Sequence, residues 1–206
     1  MINTTRLRCT IGWLGMLLPW IVLVLSFANG QGFSDSISAT WWQWEFNQTP
    51  FMIILGSAAL LLVSYKGYER IDDIICTIAG IFALGICLFP CGHNYADPVG
   101  IFSCFGMTQA TTSTLHNISA FAFFGLLSFN SLFLFTKSSG EMTENKKKRN
   151  IIFIVCGIGM VASFLMLLLP IPHIIWIVET IALAFFGVSW LTKADYYPWL
   201  FADQKN

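Results

Sequence analysis

The chain is 206 residues long, 56% hydrophobic and only 11% charged, with no formal net charge at pH 7. An ordinary soluble domain carries roughly 25% charged residues, so this composition excludes a soluble globule as the starting assumption. It directs attention to apolar runs of about 17 to 25 residues, the length an α-helix needs to cross a ~30 Å hydrocarbon core.

The first such run covers residues 11–28, behind a short basic head with Arg6 and Arg8. A cleaved signal peptide has a similar plan, and "SFANGQ" ends in small residues. Trp13, Pro19 and Trp20 are poor residues for a signal core, however, and the run exceeds the usual ~7–15 apolar residues, so it reads as a helix. A loop over residues 29–50 follows, containing "ATWWQWEF"; its tryptophans read as an aromatic belt at the bilayer interface, where one ring edge is apolar and the other wet. The second run is 51–65 and the third 74–90, joined by "YKGYERIDD". Small residues Ala79, Gly80, Ala83 and Gly85 on the third predict close approach of a neighbouring helix. After the loop 91–115 come the fourth run, 116–136, the charged connection "KSSGEMTENKKKRN" and the fifth run, 151–169, with Gly157 and Gly159 as further packing positions. Only Pro170, Ile171, Pro172 and His173 separate it from the sixth, 174–191, which predicts an antiparallel helical hairpin.

Six crossings partition the charges cleanly. All 11 Lys and Arg residues, from Arg6 to Lys205, fall on the face that holds both termini and the two charged connections. The positive-inside rule makes that face cytoplasmic, and a five- or seven-helix plan would destroy the partition. The expectation is an all-α, six-transmembrane-helix bundle, one membrane domain over residues 1–206 with both termini in the cytoplasm, in the inner membrane of a bacterial host. "KKKR" at 146–149 reads as a topology determinant beside a helix start, with attraction to anionic lipid as the alternative. The basic residues flank helices and form no nucleic-acid face.

The outer loops are the two longest, and loops above about 15 residues are usually functional or disordered. Glu179 is the single Asp, Glu, Lys or Arg inside the six runs, about six residues or ~8 Å from the outer end of the last helix. An intramembrane acid is costly unless it is paired or protonated, and is a functional-site hypothesis by default; a Glu that only fastens a neighbouring helix is the alternative. His116, in "STLHNISA" at the outer end of the fourth helix, is expected at a similar depth, where a His–Glu pair would serve proton transfer or a polar headgroup. Asn130 and Ser131, deeper on that helix, read as interhelical hydrogen-bonding groups.

His93, His116 and His173 all lie on the outer side, but no two have the i, i+4 spacing of a zinc helix, so no metal ligands and no cofactor are assigned. Cys91 and Cys104, in "FPCGHNYADPVGIFSC", are the two cysteines of an outer loop. A disulfide between them is the simplest reading in an oxidising compartment, closing a loop for roughly 3 kcal/mol; a Cys91–His93–Cys104 metal site is the alternative. "NQT" at Asn47 and "NIS" at Asn117 match glycosylation sequons. There is no phosphate-binding glycine loop, nucleophile elbow or CxxC motif.

The succession "LFPCG", Cys104, "LHNISA" and "ETIALAFFGVSWL" resembles a family of uncharacterised six-pass bacterial membrane proteins with an FPC motif, a second Cys and an LHN motif. More distantly it resembles the eukaryotic DRAM- and FRAG-like six-pass proteins, associated with autophagy, GPI-lipid remodelling and lipid asymmetry. That resemblance implies His116 and Glu179 as the site positions. Together these readings predict a non-enzymatic protein that binds or senses membrane lipid through Glu179 and His116, or modulates a membrane protein partner or a second copy of itself. A membrane-embedded lipid hydrolase or transferase using the same His and Glu, with or without zinc, and a small proton-coupled transporter are the alternatives.

Overall fold

The structure, a computed structural model, describes residues 4–43, 46–91, 105–138 and 142–197. It contains α1 (Thr4–Ala28), α2 (Gln48–Val63), α3 (Arg70–Leu88), α4 (Gln109–Phe129), α5 (Glu144–Leu165) and α6 (Ile174–Lys193), with no strand among the described residues. Each helix matches one apolar run, but several begin a turn or two earlier than hydropathy predicts. The reason is local: polar residues cap the ends without interrupting the helix. The Thr108 hydroxyl accepts the Thr111 N–H at 3.3 Å ahead of α4, and the Thr143 hydroxyl accepts the Lys146 N–H at 3.1 Å ahead of α5. Hydropathy marks the apolar part of a helix and capping marks its end.

Consecutive helices pack on one another and α6 closes against α1, so the six form a ring in chain order. Five are long and apolar enough to cross a membrane; α2, with 16 residues, is the short one at about 24 Å. The outside of the ring carries many apolar side chains, with Val24, Ile53, Leu60, Ile81, Phe121 and Ile158 all exposed. An apolar exterior on an apolar core is the surface of a membrane protein, because the lipid tails replace water as its solvent.

Small residues set the helix spacing. A Cβ on Gly80 would meet the Ala59 carbonyl oxygen at 2.7 Å, which fits the expected contact between α3 and α2. A second close crossing, between α1 and α6, was not singled out from sequence: a Cβ on Gly187 would lie 2.8 Å from the Gly12 carbonyl oxygen, and one on Gly12 would lie 3.0 Å from that of Gly187. Both glycines sit in apolar stretches where glycine also serves other purposes, so only the pairing of the helices reveals their role.

Polar side chains tie the middle of the ring together. α4 continues as a π-helical turn over Asn130–Leu134, which sets Asn130 and Ser131 facing inward. The Ser131 hydroxyl donates to the Phe153 carbonyl at 2.8 Å and lies 2.7 Å from the Ser189 hydroxyl, and the Asn130 amide reaches Cys76 Sγ at 3.1 Å. These are the interhelical bonds expected at those positions.

Every described Lys and Arg lies at one end of the ring, where α1 begins, α2 meets α3, α4 meets α5, and α6 finishes. The opposite end carries the loop between α1 and α2, and the start of α6.

Candidate functional site

The end opposite the basic cluster is covered by the chain between α1 and α2. Its Ser38–Trp42 stretch forms a short 3-10 helix that folds inward over the ring. Two tryptophans pin it there. The Trp41 indole N–H donates to the Cys87 carbonyl at 3.2 Å, and that of Trp42 donates to the Cys91 carbonyl at 2.9 Å. Both acceptors are at or just beyond the last turn of α3, where helix carbonyls lack intrahelical partners.

For Trp41 and Trp42 this differs from the expected interfacial belt, since both indole N–H groups are taken up by backbone carbonyls. Trp41 is buried and Trp42 half-buried, stacked edge to face with ring centroids 5.0 Å apart. Orphan carbonyls at the end of α3 offered the indole N–H groups a better partner than interfacial water. Trp44 lies outside the described residues.

Glu179, on the second turn of α6, holds the same segment from the other side. Its carboxylate accepts the Ile37 backbone N–H at 2.6 Å and the Ser38 hydroxyl at 3.1 Å. An ionised carboxylate only accepts, and here both oxygens meet donors at the start of a helical turn, where N–H groups are otherwise unsatisfied. The acid inside this apolar helix is thus stabilised by hydrogen bonds from the loop, with no cation paired to it among the described residues.

His116 is 4% exposed and packs at the end of α3. Its Nδ1 lies 2.8 Å from the Phe89 carbonyl oxygen, and because a carbonyl only accepts, Nδ1 carries a proton. The expected His116–Glu179 hydrogen bond is absent, because each group has found backbone partners of its own. The two residues meet as walls of one chamber of about 630 Å³, together with Ser36, Ser38, Gln43 and Asn117. At Glu179 and Ser38 the chamber adjoins a narrow apolar crevice of about 30 Å³ that runs between Leu18, Phe51, Phe123 and Leu183. No Lys or Arg lines the chamber among the described residues.

Several contributors were given no part in the site by the sequence. The Ser26 hydroxyl donates to Gln43 Oε1 at 2.8 Å and accepts from the Asn47 amide at 2.7 Å, and Asn47 also donates to Gln43. Asn47 is fully buried, so the sequon there is unavailable to a glycan in the folded protein. Asp35 accepts the Trp176 backbone N–H through its carbonyl at 3.1 Å, and its carboxylate lies 3.5 Å from His173 Nδ1. His173 adopts a left-handed conformation, φ 55°, immediately before α6. The signal that could have found this network is the hydroxyl-rich stretch "SDSISAT" directly ahead of the tryptophans.

Cys91 lines the chamber with a free thiol. Burial pushes this thiol up to about 12, and the nearby Glu179 charge adds to the shift. Its expected disulfide partner Cys104 lies outside the described residues, as do His93 and Asp97. Among the described residues no three His, Cys, Asp or Glu side chains converge as metal ligands, so His116 and Glu179 are not joined there by a third donor. Comparison with protein-family models, with curated proteins and with solved structures gives no match.

Proposed function

We propose that this protein is a six-span membrane protein that binds or senses a lipid at its outer end, without catalysing a reaction on it, through the chamber walled by His116 and Glu179. The observation that carries this reading is the chamber itself. It is open and lined with polar side chains, which suits a lipid headgroup whose chains stay in the surrounding bilayer. With the Glu179 carboxylate on its wall, His116 Nε2 as a further acceptor when the ring is neutral, and no lining Lys or Arg among the described residues, it favours a headgroup that donates hydrogen bonds, a hydroxyl or an amine. The resemblance to six-pass lipid-associated proteins points to the same two positions.

In this reading α2 is the sixth span, short because the 3-10 segment and the buried Asn47 fill the outer end above it. The basic end faces the cytoplasm with both termini, as the positive-inside rule requires. Lys147→Cys and Gln31→Cys test the orientation: an impermeant thiol reagent applied outside should label the second and spare the first. The reverse pattern would overturn it.

Lipid binding is tested by reconstituting the full chain with a mixed lipid extract, extracting it gently and measuring retained lipid by native mass spectrometry. The wild type should hold a headgroup-selected lipid that Glu179→Gln and His116→Asn lose. Equal retention by all three would reject the chamber as the binding site.

A further inference from the structure

The basic end holds a cavity of its own, of about 560 Å³, whose chemistry is the reverse of the outer chamber. The run "KKKR" separates by helical geometry, since residues three apart share a face of a helix. Lys146 and Arg149 line the cavity with Phe153 a turn beyond, whereas Lys147 turns away to pair with Glu144 at 2.7 Å. Lys137, ahead of α5, and Lys193, the last residue of α6, complete the cationic wall.

Two of these four cations have carboxylate partners. Lys137 lies 2.6 Å from Glu69 and Arg149 lies 3.2 Å from Asp195. The other two have none among the described residues. Lys146 donates to the Phe135 carbonyl at 2.9 Å. The Lys193 ammonium is held between two aromatic faces, 4.7 Å from the Tyr68 ring centroid and 4.8 Å from that of Phe135, with no oxygen acceptor among the described residues. Arg8 and Asp72, buried behind Lys193, are one of each sign and leave the balance unchanged. Among the described residues the cavity therefore carries two positive charges in surplus, on ammonium groups already partly stripped of water.

Aromatic faces stabilise an ammonium but do not neutralise it, and a desolvated cation without a counter-ion is costly. The geometry points to a binding site for a phosphate monoester at this end, independent of the outer chamber. A monoester carries about −1.5 to −2 charge at pH 7 and three strong acceptor oxygens, which matches two ammonium groups with free donors. A phosphodiester, with a single charge, leaves half the surplus uncompensated. The monoester is either the headgroup of an anionic lipid in the adjacent leaflet or a soluble phosphate compound, since both present the same terminal group.

The test uses the full chain in phosphatidylcholine nanodiscs doped with either phosphatidate, a monoester, or phosphatidylserine, and measures co-purifying anionic lipid. Phosphatidate is expected to be enriched over phosphatidylserine by about tenfold or more, as a charge-assisted contact gives. Lys193→Met and Lys146→Met should each abolish the enrichment, with Lys193→Arg and the outward-facing Lys147→Gln retaining it. Inorganic phosphate supplies the second arm. If it binds the wild type and displaces phosphatidate, the site takes soluble monoesters; if it neither binds nor displaces, the source is the lipid. Equal retention of the two lipids together with no binding of inorganic phosphate would overturn the proposal. So would enrichment or phosphate binding that survives in both Met variants. Should Lys193→Met fail to fold, Lys146→Met reads the same outcome alone, because Lys146 sits nearer the surface on a different helix.

Discussion

Glu179 on the last helix and Ile37 in the first outer loop, 142 residues apart in the chain, are joined by a hydrogen bond of 2.6 Å from the Ile37 backbone N–H to the carboxylate. The bond gives an acid inside an apolar helix a partner of backbone, and it fastens the loop over the ring. Structure and candidate function thus rest on the same side chain.

Glu179→Gln keeps one oxygen but turns an amide N–H₂ toward the donors at Ile37 and Ser38. The expected cost is about 1–3 kcal/mol, the range for leaving a buried hydrogen-bonding group unsatisfied, seen as a lower unfolding midpoint in detergent. Hydrogen exchange should rise selectively over residues 31–43. An unchanged midpoint with an unchanged loop would show that the carboxylate contributes nothing to holding it.

His116 separates its two roles by substitution. Asn places an amide N–H near the position of Nδ1 and so preserves donation to the Phe89 carbonyl, whereas Phe fills the space and cannot donate. His116→Asn should therefore stay within about 0.5 kcal/mol of wild type and His116→Phe should lose about 1–3 kcal/mol. Equal destabilisation would show that the ring packs and its hydrogen bond is incidental.

Cys91 should be slow to react in the folded protein. With its thiol at about 12, only roughly one molecule in ten thousand is thiolate at pH 8. The sign is that of an acid whose charged form is disfavoured, so alkylation should accelerate about tenfold per pH unit up to that value. Peptide mass spectrometry after alkylation of native and denatured protein reads this directly. Rapid labelling of native Cys91 at pH 8 would contradict the burial, and a Cys91 peptide linked to Cys104 would restore the disulfide reading.

Gly187→Ala tests the α1–α6 closure. The new methyl meets the Gly12 backbone oxygen at 2.8 Å, a rigid neighbour that cannot swing aside. Overpacking of this kind costs about 1–3 kcal/mol. Gly125→Ala, where a Cβ meets nothing within 4 Å, is the control and should leave the midpoint in place.

The number of helices and their chain positions were legible because hydropathy is additive along a segment. Six apolar runs became six helices, and every described basic residue came to lie at one end. Hydropathy could not find the helix ends: Thr108 and Thr143 cap α4 and α5 through single side-chain bonds that leave no trace in a window average. The polar residues Asn130 and Ser131 were legible too, since an amide or hydroxyl inside an apolar run has few alternatives to a neighbouring helix.

The candidate site was legible in part. Glu179 and His116 announced themselves as polar groups in apolar surroundings, and both line the outer chamber. Their partners did not, because those partners are backbone atoms: the N–H of Ile37 and the carbonyl of Phe89. Every residue has such groups, so no residue type marks them in advance. The role of the tryptophans was likewise settled by the third helix ending beneath them, and the separation of Lys146 from Lys147 by which face of α5 meets α6. By itself the sequence determined how many apolar helices form and which end collects the positive charge. Only the tertiary structure decided which polar atoms meet, since that depends on the order of helices around the ring and on the backbone groups each helix end leaves unpaired.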